Sequence, residues 1–412
     1  MEVALTQLKL ARRVTDIRVS PSTAANQKAR DLKAEGRDIV DLTVGEPDFD
    51  TPDAIKDAAV RAIAAGETKY TPVNGTAELR RAILHDYASR LGIEAGPDQV
   101  CVGGGAKQIL FLALMATVEA GDEVIVPAPY WVSYPDMVIA HGGTPIIVPC
   151  GEDVRFKLTP GALEAAITPA TRWLVLNAPS NPTGVAYTAD ELRALGEILK
   201  RHPHVFVLCD EIYDRIWYAD FPVQSIVSVV PEFAARALVV NGVSKSHAMT
   251  GWRIGYGVGP RELVSAINKL QSQSSSCPSS VSQAAAAAAL TGPQEGVDEM
   301  VGVYRERCEA AWARLNAIPG LSCVKPDGAF YLYPDCKGMI GRTTPDGRAI
   351  ESDLDFVLYL LETVGVATIH GAAYGLEPHF RISTATSMEV LMDGCDRIER
   401  ACRVLTKAPA HA

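Results

Sequence analysis

Short apolar runs alternate with amphipathic segments through the middle of this chain of 412 residues. Runs that are apolar throughout are typical of strands buried on both faces, and the amphipathic segments between them have the spacing of helices. The strand candidates are 99–102, 123–126, 145–148, 172–176, 204–208, 237–240 and 254–258, and the clearest helix candidates are 107–119, 189–200 and 261–271. The alternation predicts an α/β fold with a mainly parallel, seven-stranded sheet sandwiched by helices.

The pattern changes in the C-terminal part of the chain. From about residue 310, short strand-like runs mix with a helix that starts near Asp353. We interpret this part as a smaller α+β domain that the first fifty residues complete. The predicted division is an N-terminal segment 1–50 that joins the small domain, a large domain 51–305 and a small C-terminal domain 306–412.

The composition of the chain argues against several kinds of binding partner and cellular location. The net charge of −10 gives no basic surface for nucleic acid or anionic lipid. No apolar run is long enough to span a bilayer, and the N-terminus lacks a secretory signal. The nine cysteines have neither CxxC nor zinc-like spacing, so we expect packed, reduced thiols and no metal centre. The expectation is a soluble cytoplasmic protein.

A glycine-rich turn follows the first strand candidate. Three glycines end at Gly105, and a helix pattern begins with Ala106 and Lys107. Glycines allow close approach of a ligand, and a helix N-terminus offers free N–H groups, so a phosphate fits there. The alternative is a plain turn. The dinucleotide and P-loop patterns are both excluded by the spacing.

Polar side chains follow three other strand candidates. Asp210 ends one apolar run and needs a positive partner, such as a protonated ring nitrogen, unless it caps a helix or forms a structural ion pair. Asn181 lies in an Asn-Pro turn, where its amide either serves the loop or donates to a ligand oxygen. Lys245 follows the run 237–240, and a desolvated amine is a nucleophile for carbonyls.

The carboxyl ends of parallel strands meet at one edge of a sheet, where ligands bind. We therefore expect the glycine turn, Asp210, Asn181 and Lys245 to converge. A phosphate cradle, a carboxylate for a ring nitrogen and a Schiff-base lysine are together what pyridoxal 5′-phosphate requires.

Longer motifs support this interpretation. From about residue 10 to 405, the chain resembles the fold-type I, class I pyridoxal-phosphate aminotransferases, most closely the bacterial aspartate/prephenate aminotransferase subgroup. The matching stretches are "GEPDFDTP" (45–52), "TKYTP" (68–72), "PYWVSYP" (129–135), "NAPSNPTG" (177–184), "DEIY" (210–213), "SKSHAMTGWRIGY" (244–256) and "FRISTATS" (380–387).

The resemblance implies roles at the cofactor ring. Lys245 would hold the cofactor as a Schiff base and then serve as acid and base. Asp210 would pair with the pyridinium nitrogen. Tyr213 and Asn181 would hydrogen-bond the 3′-oxygen, and Trp131 would stack on the ring rather than be a core aromatic.

The resemblance also implies a phosphate site and a dimer. The backbone of Gly105, Ala106 and Lys107 would hold the phosphate together with the guanidinium of Arg253. Tyr70 would reach the phosphate of a neighbouring subunit, so each site would need a homodimer.

Substrate contacts follow from the same resemblance. Gly45 and Arg381 would hold the α-carboxylate, with Trp131 and Asn181 also facing the substrate; the alternative for Arg381 is a surface strand residue. Lys107 and Ser22 would meet the distal carboxylate of aspartate, although Ser22 is equally readable as a coil residue. The expected reaction is ping-pong transamination between aspartate and 2-oxoglutarate, with prephenate as a further acceptor.

Some positions depart from the family. Gly242 stands where many members carry a serine, and Ser244 is a candidate substitute for that phosphate contact. We interpret His247 as a packing residue, with a titrating neighbour of the site as the alternative. Thr384 stands where close relatives often have tyrosine.

Three other functions share features with this one. A pyridoxal-phosphate lyase or decarboxylase, or an aminotransferase for aromatic or other amino acids, would use the same anchoring residues. A non-catalytic regulator would carry a DNA-binding domain before the family match. We expect none here because the match begins within the first two dozen residues.

Overall fold

The computed structural model describes residues 8–17 and 21–407. Its strands are β1 (Val40–Asp41), β2 (Val100–Gly103), β3 (Glu123–Ala128), β4 (Thr144–Pro149), β5 (Thr171–Asn177), β6 (Phe206–Asp210), β7 (Ala237–Gly242), β8 (Gly255–Val258), β9 (Tyr331–Leu332), β10 (Arg342–Thr343), β11 (Val366–Ala367), β12 (Ile369–His370), β13 (Phe380–Ser383) and β14 (Thr406–Lys407).

The helices lie between these strands in the order that the sequence pattern predicts. They are α1 (Arg12–Asp16), α2 (Pro21–Ala34), α3 (Asp53–Ala64), α4 (Ala77–Leu91), α5 (Ala106–Thr117), α6 (Ser133–Ala140), α7 (Pro160–Ala166), α8 (Ala189–Arg201), α9 (Ile226–Val229), α10 (Arg261–Ser274), α11 (Ser280–Thr291), α12 (Glu295–Asn316), α13 (Asp353–Val364) and α14 (Met388–Arg403). Among the described residues, no helix has both the length and the apolar character needed to cross a membrane.

A seven-stranded sheet forms the centre of the molecule, in the order β2-β8-β7-β6-β5-β3-β4. Strand β8 is antiparallel to both neighbours, and the other strands pair in parallel. All seven strand candidates lie in this sheet, so the predicted mainly parallel architecture is confirmed.

Burial on both faces explains why these strands are apolar throughout. Successive side chains point to opposite faces of a sheet. In β6, Val207 packs in the core formed with α4, α8 and α11, whereas Leu208 packs in the core formed with α5 and α10. Val239 and Val240 of β7 divide in the same way. Each face therefore selects apolar residues independently.

A second core lies in the C-terminal part and includes residues from near the N-terminus. Strand β1 pairs in parallel with β11, and β12, β13 and β9 form an antiparallel sheet. Val40 and Leu42 pack in one cluster with Phe356 and Phe380. Helix α12 runs continuously across residue 305, where the predicted division falls, and that division stays a prediction. All nine cysteines are free, and eight of them are buried.

Candidate active site

A cavity of about 410 Å³ lies at the carboxyl ends of the parallel strands. This is where an open α/β sheet binds its ligands. Eleven of the predicted site residues line the cavity: Gly45, Ala106, Lys107, Trp131, Asn181, Asp210, Tyr213, Ser244, Lys245, Arg253 and Arg381.

Lys245 projects into this cavity from the loop that follows β7. Its Nζ donates a 2.7 Å hydrogen bond to the carbonyl oxygen of Gly45. Burial lowers the pKa of Lys245 to about 8, and the positive charges of Arg253 and Arg381 act in the same direction against the acidic Glu46. A much larger fraction of this amine is uncharged near neutral pH than for an exposed lysine, and the uncharged amine is the nucleophile.

Asp210 is the last residue of β6 and is only 4% exposed. Its carboxylate accepts hydrogen bonds from the Tyr134 hydroxyl at 2.7 Å and from the Ile212 N–H at 3.3 Å. Burial raises the pKa of Asp210 to about 6, and both hydrogen bonds oppose that rise. A cationic ring nitrogen beside the carboxylate would keep it ionised.

The two asparagines of the β5 loop fix the wall next to Asp210. Asn177 donates through Nδ2 to the Asp210 carbonyl at 2.8 Å. Its Oδ1 accepts from the Asn181 N–H at 2.9 Å. These bonds hold the loop geometry that the Asn-Pro turn predicts, and they leave the Asn181 side chain facing the cavity.

Tyr213 lies on the same wall, and its hydroxyl is 2.8 Å from the hydroxyl of Tyr331. Burial raises the pKa of Tyr213 well above its usual value, and the hydrogen bond with Tyr331 adds to this. The phenol is therefore a neutral hydrogen-bonding group at physiological pH.

The glycine turn and Arg253 form the opposite end of the cavity. Gly105 has φ 97°, and a Cβ there would lie 2.4 Å from an Nη atom of Arg253. A Cβ on Gly255 would lie 2.0 Å from the Ala106 nitrogen. The guanidinium donates to the Gly104 carbonyl at 3.1 Å. The glycines thus let an arginine lie against a helix N-terminus whose first N–H groups have no intrahelical acceptor, which is an anion site.

Lys107 adds a second cation at the same end. Its Nζ lies 4.6 Å from the centre of the Trp131 ring. Burial lowers the pKa of Lys107, and the charge of Arg253 lowers it further. In the described part of the chain, neither cation has a carboxylate within ion-pair distance, so both are available to an anionic ligand.

Arg381 lies in β13 and is 3% exposed, so its interpretation as a surface strand residue is wrong. Its guanidinium donates to the Asn181 Oδ1 at 3.0 Å and to the Thr43 carbonyl at 2.6 Å. It also lies 4.5 Å from the centre of the Tyr331 ring. Its Nε is buried without an acceptor. Among the described residues no carboxylate neutralises it, as expected for a site that receives one.

Two other predicted residues are not among those that line the cavity. Gly105 lies in the turn directly before Ala106, against the Arg253 guanidinium, and Tyr70 is 89% exposed. Ser22 falls in the first turn of α2, and its side chain lies outside the described residues.

The departures from the family have structural explanations. A Cβ on Gly242 would lie 2.9 Å from the Ile254 carbonyl oxygen, so a serine there would collide with β8. Ser244 does line the cavity. His247 is buried between Ser246 and Gln294, away from the cavity lining, and burial lowers its pKa to about 4. Both features favour its interpretation as a packing residue.

Thr384 lies outside the cavity lining. It is fully buried, and its hydroxyl is 3.2 Å from the Cys308 Sγ. The threonine therefore belongs to the packing behind the site.

Sequence reasoning missed several residues that build the site. Tyr134 follows Trp131 by three residues within the "PYWVSYP" stretch, and this helical spacing was the available signal. Tyr331 and the Thr43 carbonyl gave no comparable signal, because their roles depend on contacts with Tyr213 and Arg381 that only the fold creates.

Comparisons with known proteins agree with this geometry. The family described as Aminotransferase class I and II matches residues 37–398. A probable aspartate/prephenate aminotransferase of Rhizobium leguminosarum bv. phaseoli is 51% identical over 95% of this chain and 98% of its own length. The aspartate/prephenate aminotransferase of Cereibacter sphaeroides is 52% identical over 94% of this chain and 98% of its own length.

Solved structures give the same result. The aspartate aminotransferase of Rhizobium meliloti superimposes with a TM-score of 0.95 at 48% identity, covering 97% of this chain and all of that one. The aspartate aminotransferase of Thermus thermophilus with maleate gives 0.89 at 38% identity, covering 96% and 100%. The chain belongs to the class I and II aminotransferases. It is an aminotransferase of fold type I that uses pyridoxal 5′-phosphate, and the resemblance inferred from the sequence is confirmed.

The residues present fit this cofactor. The cavity has a buried amine with a lowered pKa at one wall, a buried carboxylate at another and an anion site where Gly105 leaves room for the Arg253 guanidinium. These are the three groups that an aldehyde, a pyridine nitrogen and a phosphate require.

Proposed function

We propose that the protein transfers the amino group between L-aspartate and 2-oxoglutarate by a ping-pong mechanism, and that prephenate is a further amino acceptor. The observation that carries this proposal is the placement of Lys245, Asp210 and Arg381 around one cavity. Relatives at about half identity are named for aspartate and prephenate. The Thermus relative was solved with maleate, which is a dicarboxylate like aspartate.

The bound cofactor supplies an electron sink for the bonds at the amino acid's Cα. Lys245 would hold the cofactor covalently, and its Nζ, freed when the substrate's amine takes its place, would accept and return the Cα proton. Asp210, oriented by Tyr134, would keep the ring nitrogen protonated. Tyr213 and Asn181 would donate to the ring oxygen, and Trp131 would stack on the ring.

The phosphate is assigned to the Gly105–Lys107 backbone, the Arg253 guanidinium and Ser244. Backbone N–H groups at a helix N-terminus and a planar guanidinium are both suited to phosphate oxygens. Lys245 and this phosphate site would together hold the cofactor at both ends.

Arg381 binds the α-carboxylate in this proposal, with the Gly45 backbone beside it. Arginine presents paired donors that match a carboxylate, which lysine does not. Lys107, at the other end of the cavity, together with Ser22, meets the distal carboxylate of a dicarboxylic substrate. The lack of an ion-pair partner for Lys107 among the described residues supports this assignment.

We infer that the active protein is a cytoplasmic homodimer in which Tyr70 reaches the neighbouring phosphate. Support comes from three large apolar or aromatic side chains that are exposed within one stretch of the chain, Val60 and Ile63 of α3 and Tyr70, which is 89% exposed. Exposed apolar groups of this kind are typical of an interface. Light scattering after gel filtration should give twice the monomer mass, and Tyr70→Phe should weaken cofactor binding without changing that mass. A monomer with full activity would contradict this.

An absorption experiment tests the reaction. Aspartate should convert the visible band of the purified protein to the amine form, and 2-oxoglutarate should restore it. An unchanged band in Lys245→Ala, or release of ammonia without an acceptor, would overturn the proposal in favour of another assignment.

Substrate choice has its own test. Lys107→Ala should lower kcat/KM for aspartate by at least tenfold while leaving alanine unaffected, because alanine has no distal carboxylate. Lys200→Ala, on the far surface of α8, is the matched control and should change neither. Equal losses for both amino acids would show that Lys107 does not read the distal carboxylate.

A further inference from the structure

A cluster of three possible metal ligands lies outside the cavity described above. It consists of Glu152, Asp335 and His379, whose ligand atoms all lie within 4.8 Å of one another. None of the three lines the active-site cavity. Glu152 belongs to the loop after β4, whereas Asp335 and His379 belong to the C-terminal part of the chain.

Backbone pairing explains why two of these side chains meet. Ser322 pairs with Asp335, and Asp335 pairs with His379, both in antiparallel bridges. Residues directly opposite in antiparallel segments project to the same side. Asp335 and His379 are thereby placed together, and the loop after β4 brings Glu152 against them, with its Oε1 3.8 Å from the His379 Nε2.

The imidazole of His379 is the observation that points to a ligand. The residue is 5% exposed and stacked on the Tyr333 ring at 4.8 Å, and its Nε2, which faces Glu152, has no hydrogen-bond partner. The Glu152 Oε1 is also buried without a partner. A buried polar atom that makes no hydrogen bond costs about 1–3 kcal/mol. The His379 Nε2 and the Glu152 Oε1 lie 3.8 Å apart, too far for a hydrogen bond, so the two unpartnered atoms indicate a missing shared partner.

The composition of the cluster agrees with a cation as that partner. Two carboxylates face one imidazole, so the side chains bring more negative than positive charge to this place. Carboxylate oxygens and a neutral imidazole nitrogen are the ligand forms that a metal ion binds.

We propose that Glu152, Asp335 and His379 bind a divalent transition-metal ion, with zinc as the expected occupant. One nitrogen and two carboxylate oxygens suit zinc better than calcium or magnesium, which prefer oxygen alone. In a tetrahedral site with bonds of about 2.1 Å, ligand atoms lie about 3.4 Å apart, so separations of up to 4.8 Å in the cluster need to shorten by up to about 1.4 Å when the ion binds. Water completes the coordination.

The ion would connect the loop after β4 to the strand that binds substrate. His379 precedes β13 directly, and Arg381 is two residues further along. Tyr333, stacked on His379, also contacts Tyr374, which lies 5.4 Å below the Arg381 guanidinium. A bound ion therefore stabilises the segment that positions Arg381.

The proposal is tested by measuring zinc binding to the cofactor-loaded protein after a chelator has removed bound metal and has itself been dialysed away. One equivalent should bind with a Kd below about 10 µM, a range in which metal-site mutations are readily resolved. Glu152→Gln and Asp335→Asn should each weaken binding at least tenfold, and His379→Gln should abolish it. Zinc should raise the Tm of the wild type and not that of Glu152→Gln. The measurements of zinc binding and Tm on the metal-free wild type need no mutation, so they test the proposal even if a variant fails to fold.

Controls separate this site from adventitious binding. Half-buried His202 and exposed His204 form a pair beside Glu164, and His204→Gln should leave zinc binding unchanged. Substituted cobalt should give a spectrum without a thiolate charge-transfer band, since no cysteine belongs to the cluster. Absence of binding, binding lost in His204→Gln, or binding retained in His379→Gln would overturn the proposal. Transamination by the stripped protein is a separate measurement, so either conclusion can fail alone.

Discussion

Replacing Arg381 by alanine should remove the recognition of the α-carboxylate. The guanidinium already donates to Asn181 and to the Thr43 carbonyl, but its buried Nε has no acceptor. A substrate carboxylate therefore gains one new charge-assisted bond at Nε, worth about 1.5–3 kcal/mol. This contribution corresponds to a loss of about 10–150-fold in kcat/KM.

The assay is the single-turnover change in cofactor absorbance with aspartate, compared with ethylamine, which lacks a carboxylate. Arg381→Ala should slow aspartate by this factor and leave the slow ethylamine reaction unchanged, while Arg381→Lys should lie between because it keeps the charge and loses the paired donors. Cofactor absorbance and Tm of the variants establish that the site is intact. A loss below tenfold, or an equal loss with ethylamine, would refute the assignment.

Two further predictions concern buried acids. Tyr134→Phe removes a hydrogen bond that lowers the pKa of Asp210. Asp210 should then take up a proton at a higher pH, and the pH below which the affinity for the cofactor falls should rise with it. An unchanged pH dependence of cofactor affinity would contradict this role of Tyr134. Burial raises the pKa of Glu211 from 4.5 to about 8, so the native state holds a proton that the unfolded chain releases, and stability falls as pH rises through this range. The difference in Tm between Glu211→Gln and the wild type should therefore grow in favour of the variant from pH 5 to pH 8 and stay constant above pH 8. A difference in Tm that does not depend on pH would exclude the protonation of Glu211 as its cause.

The sheet was predictable because burial on both faces leaves a signal in every strand. Val207 and Leu208 pack on opposite faces, so neither position tolerates a polar residue. The strand ends were predictable for the converse reason, since Asp210 and Lys245 are charged residues next to apolar runs. The order of strands, and the reversed direction of β8 beside β7, were not readable from the pattern, because every one of these strands has the same apolar character.

The hydrogen bonds that position the site residues were only partly predictable. The helical spacing of Trp131 and Tyr134 was visible, but the bond from Tyr134 to Asp210 joins residues far apart in sequence. The burial of Arg381 was also hidden, because an arginine between two apolar residues is compatible with an exposed strand. Its contact with the Thr43 carbonyl depends on how the N-terminal segment packs against β13.

By itself, the sequence determined the alternating α/β pattern, the residues at the strand ends and, through its motifs, the family and its cofactor. These depend on local periodicity and on chemistry that a few adjacent residues carry. The tertiary structure decided the pKa of Lys245, the orphan donor of Arg381 and the meeting of Glu152, Asp335 and His379. The reason is physical: desolvation and charge–charge interactions depend on which distant residues share a buried volume, and no local pattern encodes that.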